Sequence, residues 1–168
     1  MTLSNKVPHN VVPSNVPRKD WIRALTAHPV STVIGLATQL ASDYTVTLTS
    51  LPQAGLGLLK LTDGAFHENF YLGEFPLSSC RVEMRLSDGR RAEGGAQVMA
   101  DDAELARALA ILDGILAARL PGWETIAAHV QSGSEQRDAE ARRRRVMLNQ
   151  TRVDFALLSN AEGDDDEH

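Results

Sequence analysis

The most restrictive feature of this chain is a strict two-residue alternation between Ser79 and Met99. Cys80, Val82, Met84 and Leu86 fall on one side, and Ser79, Arg81, Glu83 and Arg85 on the other. A period of two is the signature of a strand with one buried face. Ser87-Asp88-Gly89 follows, with a glycine free to take positive φ, so the chain is expected to reverse there as a hairpin. The return strand, about Arg90 to Met99, puts Ala92, Gly94, Ala96 and Val98 inward. Side chains that small leave room for a helix to lie close against the sheet.

The next segment supplies that helix. Leu105, Ala108, Leu109, Leu112, Ile115 and Leu116 recur at i, i+3, i+4 and i+7, with Asp101 or Asp102 as the cap. Pro121-Gly122 stops it. A short helix is predicted over Trp123–Val130, a break at Ser132-Gly133-Ser134, and a last helix from Glu135 to about Leu158.

Upstream, a helix is predicted from Arg18 to about Ala27, with Trp21, Ile22 and Leu25 on one face, ended by His28-Pro29. Ser31 is the expected N-cap of a second helix carrying Val33, Ile34, Ala37 and Leu40. Tyr44, Val46 and Leu48 alternate with Thr45, Thr47 and Thr49 as a half-buried strand. Leu56–Leu61 is apolar on both faces, the pattern of a central strand. Asp63-Gly64 is a turn, and Phe70-Tyr71-Leu72 a short strand ending at Gly73. The fold class is therefore α+β: N-terminal helices, an antiparallel sheet with a hairpin at 87–89, and helices to the C-terminal end, the last of them long.

A chain of 168 residues suits one domain. Residues 1–17, with Pro8, Pro13 and Pro17, are expected to be a flexible leader without the apolar core of a secretory signal. The domain is expected over 18–159, and 160–168 is an acidic tail expected to be disordered. That tail holds Glu162, Asp164, Asp165, Asp166 and Glu167, which account for the whole net charge of −5. The neutral remainder gives no electrostatic case for nucleic-acid binding. No stretch approaches the roughly 18 apolar residues of a membrane span. Cys80 is the only cysteine, which rules out an intrachain disulfide and fits a reducing compartment. The cytoplasm is the expected location.

Few residues suggest chemistry. His9, His28, His67, His129 and His168 show no metal-ligand spacing. Cys80, mid-strand among apolar partners, reads as a small buried hydrophobe. Gly94-Gly95 lacks the Lys and Ser/Thr of a phosphate loop. No catalytic residue and no metal site are assigned. Arg142, Arg143, Arg144 and Arg145 form a run in the last helix. They are either solvated charge paired with Glu135, Asp138 and Glu140, or a contact for a phosphate or an acidic partner. The apolar Val153, Phe155, Ala156, Leu157 and Leu158 either dock on the domain or meet another chain.

At these last residues a resemblance enters. Thr151-Arg152-Val153-Asp154-Phe155 resembles the C-terminal signature of the PhnG family, subunits of the bacterial carbon–phosphorus lyase core complex. Gln53-Ala54-Gly55-Leu56, Phe70-Tyr71-Leu72-Gly73-Glu74, Cys80 with Met84–Gly89, and Ile111-Leu112-Asp113 are similar to further family segments in the same order. Segments 63–67, 78–79 and 100–102 depart from the family's pattern.

The resemblance implies a role in phosphonate catabolism with PhnH-like, PhnI-like and PhnL-like subunits. Together they make ribose 1-phosphonate 5-triphosphate from ATP and an alkylphosphonate, and a PhnJ-like subunit later cleaves the carbon–phosphorus bond. It implies a hetero-oligomer with more than one copy of this chain. ATP and a methylphosphonate-type substrate are bound at the level of the complex, with no cofactor on this chain. Gly73, Glu74, Arg152, Val153, Asp154 and Phe155 are the interface or motif candidates it supplies. Two other readings stand beside it. One is a small enzyme using Glu74, His67 or Asp88 as acid or base on a phosphorus compound. The other is a generic interaction module sharing only the fold.

Overall fold

A computed structural model describes residues 15–150, the last of them by its backbone alone. The leader up to Ser14, the Thr151–Phe155 motif, the apolar Val153–Leu158 stretch and the acidic tail lie outside the described residues.

A 3-10 turn at Arg18–Asp20 leads into α1 (Trp21–Leu25) and α2 (Val30–Ala41). Three strands follow: β1 (Thr45–Thr62), β2 (Asn69–Arg85) and β3 (Arg91–Val98). Two helices complete the order, α3 (Ala103–Ala117) and α4 (Trp123–Gln150). The sheet is antiparallel in the order β1-β2-β3. The α+β class expected from the sequence is the one observed.

α3 backs the sheet. Cys80, Val82 and Met84 of β2, and Ala92 and Ala96 of β3, are buried beneath Leu105, Leu109, Leu112 and Ile115. The small residues of β3 act as the alternation implied. A Cβ on Gly94 would strike the Ala110 carbonyl and stand 2.7 Å from the Gly114 nitrogen. Asp102 caps α3, its Oδ1 accepting from the Leu105 N–H at 2.8 Å. Ser78, fully buried, ties this cap to the sheet: its hydroxyl donates to the Ala100 carbonyl and accepts from the Asp102 N–H. The hairpin closes at Gly89, whose φ is +87°.

Five local expectations are corrected. The first helix is shorter than Arg18–Ala27, because Arg137 of α4 donates to the Arg23 and Thr26 carbonyls and fixes its end there. Ser31 does not cap α2; the helix begins at Val30, and the Pro29 carbonyl accepts from the Thr32 and Val33 N–H groups. Leu56–Leu61 is not a central strand: β1 is an outer strand, and β2 is the central one. Phe70-Tyr71-Leu72 does not stop at Gly73, because β2 runs unbroken through it. Finally, Ser132-Gly133-Ser134 does not break the helix. Gly133 is buried inside α4, where a Cβ would strike the Ala24 carbonyl of α1. The glycine there serves close packing rather than a turn.

Candidate functional site

β1 and β2 outrun β3. β3 pairs with β2 only from Ser78 to Arg85, whereas β1 stays paired with β2 as far as Thr62↔Asn69. The part of β2 before Ser78 therefore has one neighbour, and residues Gly55–Leu77, which Gln53-Ala54 lead into, form a two-stranded arm beyond the helix-backed sheet. Pro76 fits such a position, since a strand with one free edge need not donate on both sides.

The arm is apolar on both faces. Leu56 is 69% exposed, Leu58 59%, Tyr71 63% and, in the turn at the tip, Phe66 82%. Leu59, Leu61, Phe70 and Leu72 are exposed as well. In water a bare two-stranded ribbon is marginal, and an exposed apolar surface of this kind marks an interaction site. The sequence pattern of Leu56–Leu61 is that of a strand buried on both sides; among the described residues neither side is covered.

The register assigns the faces. Gly57↔Phe75, Leu59↔Gly73 and Leu61↔Phe70 are partners on one of them. That face carries no charge. The Phe75 ring lies over Gly57, where an added Cβ would stand 2.7 Å from its Cζ. The other face joins Leu56, Leu58 and Tyr71 to Glu74 and Lys60 through the pairs Leu58↔Glu74 and Lys60↔Tyr71. Leu72 is the extra residue of a bulge between them. The tip is held by Asp63, whose carboxylate accepts from the Phe66 N–H at 2.8 Å, and His67 there takes a φ of 55°.

The arm brings together two of the sequence candidates and separates others. Gly73 and Glu74 pair with Leu59 and Leu58 in its middle, and Gln53–Leu56 runs opposite Ser79–Pro76 on the same ribbon. Thus two segments distant in sequence form one surface. Glu74 and His67 are exposed on the arm, while Asp88 sits in the hairpin turn at the far end of β2. The three acid–base candidates do not converge on one site. Asp88 is occupied by Arg90, which holds its carboxyl below the usual range through the backbone N–H first and the guanidinium second. Cys80 is buried, its thiol 3.7 Å from the Ser50 carbonyl, and burial pushes its pKa up. That is the opposite of a nucleophile's environment.

Arg142, Arg143, Arg144 and Arg145 are all exposed on α4. Arg144 reaches Glu140 at 2.8 Å, the i, i+4 pairing expected of solvated charge. The other three form no ion pair among the described residues. Arg152, Val153, Asp154 and Phe155 lie outside those residues.

The last residue of the Ile111-Leu112-Asp113 segment is held by a partner far away in the chain, Arg18. Asp113, 5% exposed on α3, accepts from the Arg18 Nε at 3.0 Å and Nη2 at 2.7 Å, and from the Gly95 N–H at 3.1 Å. The bidentate pair raises the Arg18 pKa through that hydrogen bonding. It ties the N-terminal turn to α3 and the outer edge of β3, beside a cleft of about 770 Å³ that also meets Lys19, Arg81 and Glu93. No periodicity in the sequence links residues so far apart.

Among the described residues no group of three His, Cys, Asp or Glu side chains is placed to hold a metal ion. His28 and His129 meet edge to face, His28 Nε2 lying 2.8 Å from the His129 carbonyl, as a contact between the N-terminal helices and α4. No described helix is long and apolar enough to cross a membrane.

Fold and site together define a helix-backed α+β domain with a projecting apolar ribbon, a protein equipped for contact with other chains. Comparison with known families specifies it: residues 16–160 match the family described as phosphonate metabolism protein PhnG, and the chain belongs to that family. Its role is accordingly in phosphonate metabolism. No curated protein matches the chain.

Proposed function

We propose that this chain is a supporting, non-catalytic subunit of the carbon–phosphorus lyase system. It acts with PhnH-like, PhnI-like and PhnL-like subunits, and beside a PhnJ-like one, in a cytoplasmic complex. That complex forms ribose 1-phosphonate 5-triphosphate from ATP and an alkylphosphonate.

The arm carries this reading. Two segments that resemble family motifs, Gln53–Leu56 and Phe70–Glu74, lie on it together, and the register shows one of its faces to be uncharged. Leu59, Leu61, Phe70 and Phe75 on that face have the composition of an interface centre, where charge is depleted and aromatics enriched. Gly73 between them lets a partner backbone approach closely, since nothing lies within 4 Å of where its Cβ would be. We assign this face to the PhnI-like subunit. ATP and the phosphonate are bound by the assembly, not by this chain alone.

Co-expression with a PhnI-like protein tests the assignment. The wild-type chain is expected to co-purify with it, and Leu59→Arg with Phe70→Ala to reduce recovery at least tenfold, as loss of central contacts worth roughly 1.4 kcal/mol or more would. Equal recovery of both would refute it.

A further inference from the structure

Two neighbouring clefts share Arg81 and Gly95. The larger, of about 770 Å³, is lined by Arg18 and Lys19 of the N-terminal turn, Thr49 of β1, Arg81 of β2, Glu93 of β3 and Asp113 of α3. The smaller, of about 430 Å³, adds Ser50, Ser79 and Gln97. The alternation along β2 turns Arg81 away from the apolar side that α3 covers, and its register partner is Gly95. A glycine there has no side chain to screen it. A Cβ at position 95 would lie 3.7 Å from Arg81 Cγ, so the arginine stem lies along bare backbone.

The charges of the larger cleft do not all satisfy one another. Arg18 and Asp113 do, through Nε and Nη2, which fixes the guanidinium plane and leaves Nη1 without a hydrogen bond among the described residues. The side chains of Lys19 and Arg81 are exposed and form neither ion pair nor hydrogen bond among the described residues. Glu83, two residues along β2, could have neutralised Arg81. It is taken instead by Arg85 at 2.8 Å, with Arg91 at 3.9 Å. Glu93 stands opposite Glu83 in the register and lines the cleft with no cation on it among the described residues. The cleft thus presents two unpaired cations, a held guanidinium with one free nitrogen, and one unpaired carboxylate.

We infer that this cleft binds a small organic anion that carries both a phosphoryl or phosphonyl group and a hydroxyl. The phosphorus-bound oxygens meet Lys19, Arg81 and the free Nη1 of Arg18, and the hydroxyl donates to Glu93. Guanidinium and ammonium groups are the side chains that hold such oxygens, and a guanidinium already fixed by Asp113 loses little freedom on binding. Glu93 would repel a bare phosphate, so a ligand hydroxyl is what gives its carboxylate a partner. The volume is that of a small-molecule site. Beyond Arg81 the polar groups of Ser50, Ser79 and Gln97 suit the remainder of a hydroxylated ligand. The inference deepens the subunit reading and rests on it: the cleft is this chain's share of a substrate site that the assembly completes.

The test is an NMR titration of the isotope-labelled full chain with ribose 5-phosphate, methylphosphonate and, at matched ionic strength, sodium chloride. Ribose 5-phosphate is expected to shift the amide signals of Lys19, Arg81 and Gly95 saturably, with a Kd on the order of 1 mM. Methylphosphonate, which has no hydroxyl, should shift the same signals but bind about threefold more weakly or worse. Chloride should give no saturable shift. Lys19→Gln with Arg81→Gln is expected to weaken both phosphorus ligands about tenfold or more. Glu93→Ala should abolish the preference for ribose 5-phosphate and leave methylphosphonate bound at least as well. These three side chains are exposed, and circular dichroism verifies that the variants remain folded. Absence of saturable shifts, shifts that map elsewhere, or a double variant that binds as the wild type does overturns the inference. So does an undiminished preference in Glu93→Ala, or saturation by chloride alike. A chain that binds neither phosphorus ligand yet co-purifies with the PhnI-like subunit overturns the site and leaves the subunit reading standing. A chain that binds both as expected and captures no such subunit does the reverse.

Discussion

Gly94 of β3 and Gly114 of α3 meet with their backbones in contact, so close that a Cβ on Gly94 would stand 2.9 Å from the Gly114 Cα. Here the sheet and its covering helix have no side chain between them. Alanine at 94 has only backbone to displace. Gly94→Ala is expected to cost about 1–3 kcal/mol, read as a fall of several degrees in Tm. The neighbouring Gly95→Ala is the control. Its Cβ would find only Arg81 Cγ at 3.7 Å and the Cys80 carbonyl at 4.0 Å, and the change should stay within about 0.5 kcal/mol. Equal effects at both positions would contradict the packing described.

The Arg18–Asp113 pair gives an asymmetric expectation. Arg18→Ala strands a carboxylate whose side chain is 6% exposed with the Gly95 N–H alone, which should destabilise by about 3 kcal/mol. Asp113→Asn added to that variant removes the stranded charge and should recover part of the loss. A denaturant double-mutant cycle measures this coupling. Simple additivity would show that the pair contributes nothing as a unit.

Cys80 should be silent in the folded protein. Its burial and raised pKa leave little thiolate near neutral pH, so a soluble disulfide reagent is expected to label it only on unfolding. Stoichiometric labelling under native conditions within minutes would show that β2 opens at its centre.

Asp88 sets an acid limit on the hairpin turn. Its folded pKa is depressed, so its contribution is fully present above the unfolded carboxylate value near 3.9 and fades as the pH falls through the lower folded value. A carboxyl-resolved NMR titration should place Asp88 below that ordinary value. Arg90→Ala should raise it only partly, because the larger cause, the backbone N–H at position 90, remains. A midpoint at or above the ordinary value would contradict the turn geometry.

The helix-backed part of the fold was legible because its cues are local. The alternation around Cys80–Leu86, the glycine at the turn and the leucine stripe of α3 each act within a few residues. What misled were residues whose partners lie far away. Leu56–Leu61 reads as a buried strand because apolarity on both faces says only that both will be covered, not by which chain. Gly133 reads as a breaker until Ala24 is seen against it. The site candidates divide the same way. Gly73 and Glu74 came from motif resemblance, and only strand register shows them sharing a ribbon with Gln53–Leu56. Arg18 and Asp113 carry no local sign of one another.

The central claim is that this chain supports chemistry completed by other subunits. It is tested most directly by following adenine release from ATP and methylphosphonate in the co-expressed assembly, with and without this chain. Release is expected with the full set, to fall to background when this chain is omitted, and to be absent with the chain alone. Undiminished release without it, or turnover by the isolated chain, would contradict the account.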